Sequence, residues 1–425
     1  MLKNFVDWLN QQGINFPGDN LFQFISSRVL LAVLLSLIIS AIFGKKLINY
    51  LKKKQVGESV RDLGLAGEQQ KKGTPTMGGV IIILAILIPT LLLADVSKVY
   101  ILLMIFATIW LGLIGFIDDY LKLKSKRKAQ REGKVYVKGD SDGLAGWIKV
   151  LGQVILGIAV ATTMLFNDTI SVYRKFSGDE IPANSEVKRV NINGAEKVLV
   201  KADEPITTIP FVKSHEFNYS KLLPVALRGL SWILYVIIVI FIVTAVSNGA
   251  NITDGIDGLA TGVSAIIGIC LGIFAYASGN IRVAEYLNIM YIPNIGELSI
   301  FIAAMVGACI GFLWYNAYPA QVFMGDTGSL MLGGVIAALS FLVRKELLIP
   351  IFCGVFLIEN LSVVLQVSYF KYTKRKYGEG RRIFLMSPLH HHYQKAGYHE
   401  SKIVTRFWII TLLCVVLAIV TLKIR

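Results

Sequence analysis

Asp118 and Asp119 stand side by side at the end of an apolar run, in the stretch FIDDYLK. Adjacent carboxylates at the negative end of a helix dipole are disfavoured unless a cation is near, so a metal ion or a basic partner is implied. The plainer reading pairs them with Lys122 or Lys124 as ordinary helix-end charges. Asn251, Asp254 and Asp257 recur at every third position in NITDGIDGL, where Gly255 and Gly258 let the backbone fold back. A solvated turn would look the same, and the spacing of a calcium loop is absent. Asp326 lies between glycines in FMGDTGSL, just before an apolar run that Thr327 or Ser329 can cap. In KKGTPTMGG, Thr74 can cap and Pro75 can open a helix, leaving free N–H groups beside Lys71 and Lys72. Such an end suits a phosphate, and a simple cap with snorkelling lysines suits it equally. His390, His391 and His392 adjoin in a chain that has five histidines. Three consecutive residues cannot face one way on a helix, so a loop after Pro388 is expected.

These side chains imply a division of labour. Mg²⁺ prefers carboxylate oxygens, retained water and substrate phosphate over imidazole. The aspartates are therefore the better ligands, and the histidines donate hydrogen bonds to phosphate or sugar, or move a proton. A zinc site of three adjacent histidines is the weaker alternative, because neighbours converge poorly on one ion. The residues point to Mg²⁺-assisted phosphoryl chemistry on a substrate reached from both cytosol and bilayer.

The elements that must hold them are membrane helices. Of the 425 residues, 54% are hydrophobic, and the mean hydropathy is +0.61, which is far above a water-soluble domain. The net charge of +15 comes from Lys and Arg blocks between apolar runs, the pattern of orientation signals and not of nucleic-acid binding. The four cysteines lie far apart within apolar runs, so neither a disulfide framework nor a metal cluster is indicated. No removable signal peptide is expected. Spans are expected near 30–43, 78–94, 99–117, 144–166, 223–246, 259–277, 300–314, 329–343, 348–370 and 403–422. That is an all-α fold of about ten transmembrane helices in one polytopic domain, 1–425. Basic blocks at 45–72, 122–138 and 371–382 fall on one side, which makes that side cytoplasmic and both termini external. The segment 167–221, broken by Pro182, Pro205 and Pro210, reads as a small external β-like insertion through VKRVNING and KVLVK. Every polar stretch named above falls at the cytoplasmic end of a span. No internal repeat is found, which counts against a transporter.

KKGTPTMGG, GFIDDYLK, SNGANITDGIDGLA, NAYPAQVFMGDTGSL, ENLSVVLQVSYFK and MSPLHHHYQKAGY together resemble the motifs of the phospho-N-acetylmuramoyl-pentapeptide-transferase family. The likeness covers nearly the whole chain apart from 167–221, and the triple histidine is its most branch-specific part within the polyprenyl-phosphate N-acetylhexosamine-1-phosphate transferases. It implies transfer of phospho-MurNAc-pentapeptide from UDP-MurNAc-pentapeptide to undecaprenyl phosphate, releasing UMP and forming lipid I, in the bacterial cytoplasmic membrane with the site on the cytoplasmic face. It implies a homodimer and no nucleic-acid partner. By similarity, Asp326 ligates Mg²⁺, Asp118 deprotonates or positions the lipid phosphate, and Asp119 supports it. Lys71 and Thr76 lie near the phosphates, and Asn251, Asp254 and Asp257 on the nucleotide side. Asn316, Phe323 and Gln366 neighbour uridine, and His390, His391 and His392 grip the diphosphate or amino sugar. The chemistry is either one displacement or two through a covalent intermediate. The basic stretch KYTKRKYGEGRR is longer than the family's usual link to the histidines, and 167–221 is long for the family. Rival readings are a UDP-GlcNAc-using transferase of the same superfamily, an intramembrane prenyltransferase and a cation-coupled transporter.

Overall fold

A computed structural model describes residues 2–13, 20–54, 71, 73–132, 143–175, 186–192, 195–202, 205–210, 212 and 216–423. Lys72, Arg61, Lys134, Lys138 and Pro182 lie outside the described residues. The helices are α1 (Leu2–Gln11), α2 (Asn20–Gln23), α3 (Ile25–Lys53), α4 (Gly79–Leu93), α5 (Val99–Arg131), α6 (Gly146–Phe166), α7 (Ser231–Thr253), α8 (Leu259–Gly279), α9 (Ile281–Leu287), α10 (Leu298–Asn316), α11 (Gly325–Leu342), α12 (Ile349–Phe352), α13 (Gly354–Tyr377), α14 (Leu389–Lys395) and α15 (Glu400–Val420). The strands are β1 (Tyr173–Lys175), β2 (Val187–Ile192), β3 (Ala195–Lys201), β4 (Ile206–Thr208) and β5 (Glu216–Asn218).

Each expected apolar run lies on a helix, so the all-α membrane class holds. Among the described residues, eight helices are long and apolar enough to cross a membrane, or up to nine if a bent pair counts as one span. That pair is the stretch from Glu346 to Phe352 followed by α13, with a bend of 78°. The run at 78–94 is carried by α4, which has only 15 residues and contains Pro89. The helices also run past the expected limits. α5 continues through Asp118 and Asp119 to Arg131, so these carboxylates lie within a helix and do not close one. The helix persists because Lys122, one turn on, meets the Asp118 carboxylate at 2.5 Å.

The bundle is organised around α11 and α10, whose apolar stretches are 89% and 78% buried, against 22% for the stretch holding α7. α11 packs on α4, α5 and α7, and α10 on α3, α4 and α8. Where α3, α4 and α10 meet, Arg28 forks onto Glu297 at 2.6 and 2.8 Å, while Leu93 O and Asp95 N take up remaining bonds. This buried two-bond pair is the geometry in which an Arg–carboxylate contact is strongest.

The insertion is β-structured, as its sequence indicates. β3 lies between β1 and β2 in an antiparallel sheet, and β4 pairs with β5. It is also anchored, which the sequence pattern does not show. β4 is buried against the corner after α11, where Thr208 N donates to Arg344 O at 3.1 Å and the Arg344 guanidinium donates to Ile206 O at 3.3 Å. Tyr219 donates to Glu346 at 2.9 Å, and Lys345 donates to Thr208 Oγ1 at 2.7 Å.

Lys345 has no solvent exposure, and burial pushes its ammonium down to about 7, with Glu346 only partly opposing. Below that value the fold carries the full cost of the buried charge, and the cost is relieved as pH rises from about 7 toward the ordinary lysine range. Stability should therefore climb with alkalinity in this window. Thermal unfolding in detergent at pH 7 and pH 9 checks this: Lys345→Met should melt higher than wild type at pH 7 and show a shallower climb.

Candidate active site

Two backbone strips bring the motifs to one place. Gly78 N donates to Phe323 O at 2.8 Å, Gly79 N to Met324 O at 2.9 Å, and Phe323 N to Pro75 O at 2.8 Å. The stretch Lys71–Gly79 is thereby stitched to the approach to α11. Thr74 and Pro75 do not start a helix as the sequence suggests; Pro75 is held in the pairing with Phe323, Met77 turns through φ +71°, and α4 begins only at Gly79. Nor do Thr327 and Ser329 cap α11. That role falls to Asp119 of α5, whose carboxylate accepts Asp326 N at 3.2 Å, Thr327 N at 3.0 Å and Thr327 Oγ1 at 2.6 Å. The fit requires Gly325, at φ +72°, since a Cβ there would lie 2.6 Å from Asp119 Oδ2 and 2.9 Å from Thr76 Oγ1. Thr76 thus stands beside the aspartates.

Asp118, Asp119 and Asp326 offer oxygens that all lie within 4.8 Å of one another. Two lysines bridge the outer pair. Lys149 Nζ is 2.9 Å from Asp118 Oδ2 and 2.6 Å from Asp326 Oδ2, and Lys122 is 2.5 and 3.2 Å from the same atoms. Asp118 Oδ1 accepts Leu144 N at 2.7 Å, and Asp326 Oδ1 accepts Asn251 Nδ2 at 2.9 Å. The plain pairing of Asp118 with Lys122 is present, and it lies within the three-carboxylate cluster. Lys149 escapes a motif search, although a lysine inside the run GWIKVLG is itself a signal. Three carboxylates against two ammonium groups leave net negative charge and hard oxygen donors, a set that fits Mg²⁺. Asp119 spends its oxygens on the start of α11, whereas Asp118 and Asp326 share the two lysines.

A second charged cluster lies on the other side of the strip. Lys71 Nζ is 2.7 Å from Asp257 Oδ1 and 2.5 Å from Glu400 Oε1, and it sits 6.0 Å from the centre of the Phe323 ring. Burial opposes the Lys71 charge, but Glu400 and Asp257 more than offset it and hold the ammonium above the usual lysine range. Asp257 Oδ2 accepts Ala320 N at 2.9 Å. Asn316 is buried and bonded within the protein, to Thr261 Oγ1 and Val322 O at 2.9 Å each, so it shapes the loop that carries Phe323. Asp254 follows α7 as its half-buried C-cap. Gln366 lies apart from both clusters, and its amide oxygen accepts Ile383 N and Phe384 N at 3.0 Å each while its nitrogen donates to Phe384 O. It therefore docks the basic link against α13.

The histidines form a short helix, α14, and not the expected loop. Because three successive side chains leave a helix in three directions, they take three partners. His390 is fully buried, and its Nδ1 lies 3.1 Å from Glu359 Oε2, with its own N donating to Glu359 Oε1. Its Nε2 faces Gly255, where a Cβ would approach to 2.1 Å, which explains the glycine. His392 Nδ1 accepts Leu385 N. His391 Nδ1 lies 2.7 Å from Gln394 Oε1; burial, then its neighbour His390, push the imidazole down to about 4, with the Lys71 charge adding to the shift, so it is neutral near pH 7.

Known proteins share this arrangement in sequence. The family model of glycosyl transferase family 4 matches residues 101–344, and signature 1 of phospho-N-acetylmuramoyl-pentapeptide-transferase matches residues 71–83. Curated proteins of that name are similar over nearly their full lengths: 57% identical in Flavobacterium psychrophilum and 54% in Flavobacterium johnsoniae, each over 97% of both chains, and 49% in Parabacteroides distasonis over 100% of both. The chain belongs to the phospho-N-acetylmuramoyl-pentapeptide-transferase family. The signature covers the strip from Lys71 through Thr76 to α4, and the family 4 model covers both aspartate clusters up to Asp326.

The capping role of Asp119 separates it from its neighbour. Asp119→Ala should lower stability by about 1–2 kcal/mol, the usual cost of a lost cap, whereas Asp326→Asn should leave the melting temperature within a few degrees of wild type. Parallel thermal unfolding of the two variants decides it.

Proposed function

We propose that this chain transfers phospho-MurNAc-pentapeptide from UDP-MurNAc-pentapeptide to undecaprenyl phosphate, releasing UMP and forming lipid I, the first membrane step of peptidoglycan synthesis. The observation that carries the reading is the pairing of the Asp118–Asp326 cluster, bracketed by Lys122 and Lys149, with a second cationic point at Lys71 beside the Phe323 ring. The name of the similar Flavobacterium psychrophilum protein, phospho-N-acetylmuramoyl-pentapeptide-transferase, supports the substrate assignment. The reading further holds that ten spans place both termini outside, 167–221 in the periplasm and both clusters on the cytoplasmic face of the bacterial inner membrane. The chain works there as a homodimer.

The chemical difficulty is that one anion must attack another. Alignment and neutralisation therefore matter more than covalent help from the protein. Lys122 and Lys149 supply positive charge where the acceptor phosphate and the attacked phosphorus meet. Asp118, in contact with both lysines, takes up or directs the acceptor's proton. Lys71 holds the donor's phosphates, and Phe323 offers a face to the uracil ring. Asn251 keeps Asp326 turned inward. Asp326, with Asp118 beside it, would hold Mg²⁺, which would supply charge neutralisation to the diphosphate. His391 is a neutral imidazole whose one N–H is spent on Gln394 Oε1, leaving Nε2 to accept a hydrogen bond from a hydroxyl or amide of the sugar, while His390 and His392 secure the helix that presents it.

Purified protein in detergent, given undecaprenyl phosphate and Mg²⁺, should release UMP from UDP-MurNAc-pentapeptide and little from UDP-GlcNAc. Preference for UDP-GlcNAc would place the chain in the sister class, and consumption of a prenyl diphosphate without UMP would defeat the reading. In the same assay Asp326→Asn should reduce turnover by about a hundredfold or more, the scale of losing a preorganised charge at the reacting centre.

A further inference from the structure

We infer that Glu400 is a positioning residue that sets Lys71 and the Asp254–Asp257 turn for the donor. Three segments distant in sequence converge on its carboxylate. Oε1 meets Lys71 Nζ at 2.5 Å and accepts Asp257 N at 2.7 Å, and Oε2 accepts Gln394 Nε2 at 3.4 Å. Gln394 in turn holds His391. Glu400 is 5% exposed and lies in the first turn of α15, where the helix dipole favours a carboxylate. A lysine ammonium is a point charge on a flexible stem with three donors. Asp257 and Glu400 occupy two of them, which fixes the stem and leaves the third for a phosphate oxygen. Glu400 touches no reacting atom in this arrangement; it acts through Lys71 and the turn.

The inference rests on the proposed role of Lys71 toward the donor phosphates, and two variants with their combination test it. Glu400→Gln keeps an acceptor for Asp257 N but removes the charge that restrains Lys71. It should raise KM for UDP-MurNAc-pentapeptide about tenfold, the scale of one charge-assisted bond, with a smaller change in kcat and an unchanged Mg²⁺ requirement. In the Lys71→Ala background the same substitution should have almost no further effect, because partners acting through one contact are not additive. Glu400→Asp, which keeps the charge but is one methylene shorter, should fall between wild type and Glu400→Gln. It serves as the test pair with Lys71→Ala if Glu400→Gln does not fold. An undiminished effect of either Glu400 variant in the Lys71→Ala background, or an unchanged KM, would overturn the inference while leaving the function standing. Wild-type protein that releases no UMP from this donor would overturn both.

Discussion

Three carboxylates share a space that water reaches poorly, and the rest of the site is arranged to make that tolerable. Two unit charges about 4 Å apart interact by about 4 kcal/mol at an effective dielectric of about 20. The protein meets this repulsion in two ways. Asp119 is turned away from the cluster's centre by the free N–H groups that open α11, so its charge is matched by a helix terminus. Asp118 and Asp326 are instead bridged by Lys122 and Lys149, which reach between them from α5 and α6. Remove either device and like charges remain without partners in a partly desolvated place.

The bridge constrains the architecture. Lys122 must follow Asp118 by one helical turn, so α5 has to continue beyond its apolar part into the basic stretch ending at Arg131. Lys149 must reach the same point from the first turn of α6. α11 must begin level with Asp119, which the backbone pairing of Gly78 and Gly79 with Phe323 and Met324 secures. Since α11 is the most buried apolar helix, its position is set by packing on several sides, and the aspartates inherit that rigidity.

Much of this is legible in the sequence because hydrocarbon imposes simple rules. Apolar runs give the helices, and polar stretches that all fall at one end of those runs give the cluster before any contact is known. What stays hidden depends on partners far apart in the chain. Asp119 is expected to support Asp118 and is found also to cap α11, through N–H groups that lie more than two hundred residues away. Asn316 and Gln366, expected beside uridine, have side chains bonded within the protein, a pairing that no local pattern announces. The histidine helix defeats the loop expectation because its side chains need no common target. Glu359 and Glu400 lie within or just after the telling stretches, yet nothing local marks them; their roles come from His390, Lys71 and Asp257.

The two charge clusters differ in a way that fits a reaction between two anions. In both clusters carboxylates outnumber lysines, but around Asp118 and Asp326 three of them offer oxygens within 4.8 Å of one another, which suits an added cation. Around Lys71 a single ammonium is held by two carboxylates, so its position is fixed at the expense of its net field. A lysine left with a full field would attract either phosphate; one restrained by Asp257 and Glu400 offers a directed bond to a phosphate placed beside Phe323. Discrimination between donor and acceptor then follows from geometry. Under the proposed reading, the donor, with a ring to stack and a diphosphate to align, suits the restrained lysine, and the acceptor phosphate suits the other cluster only once an added cation has reversed its negative excess.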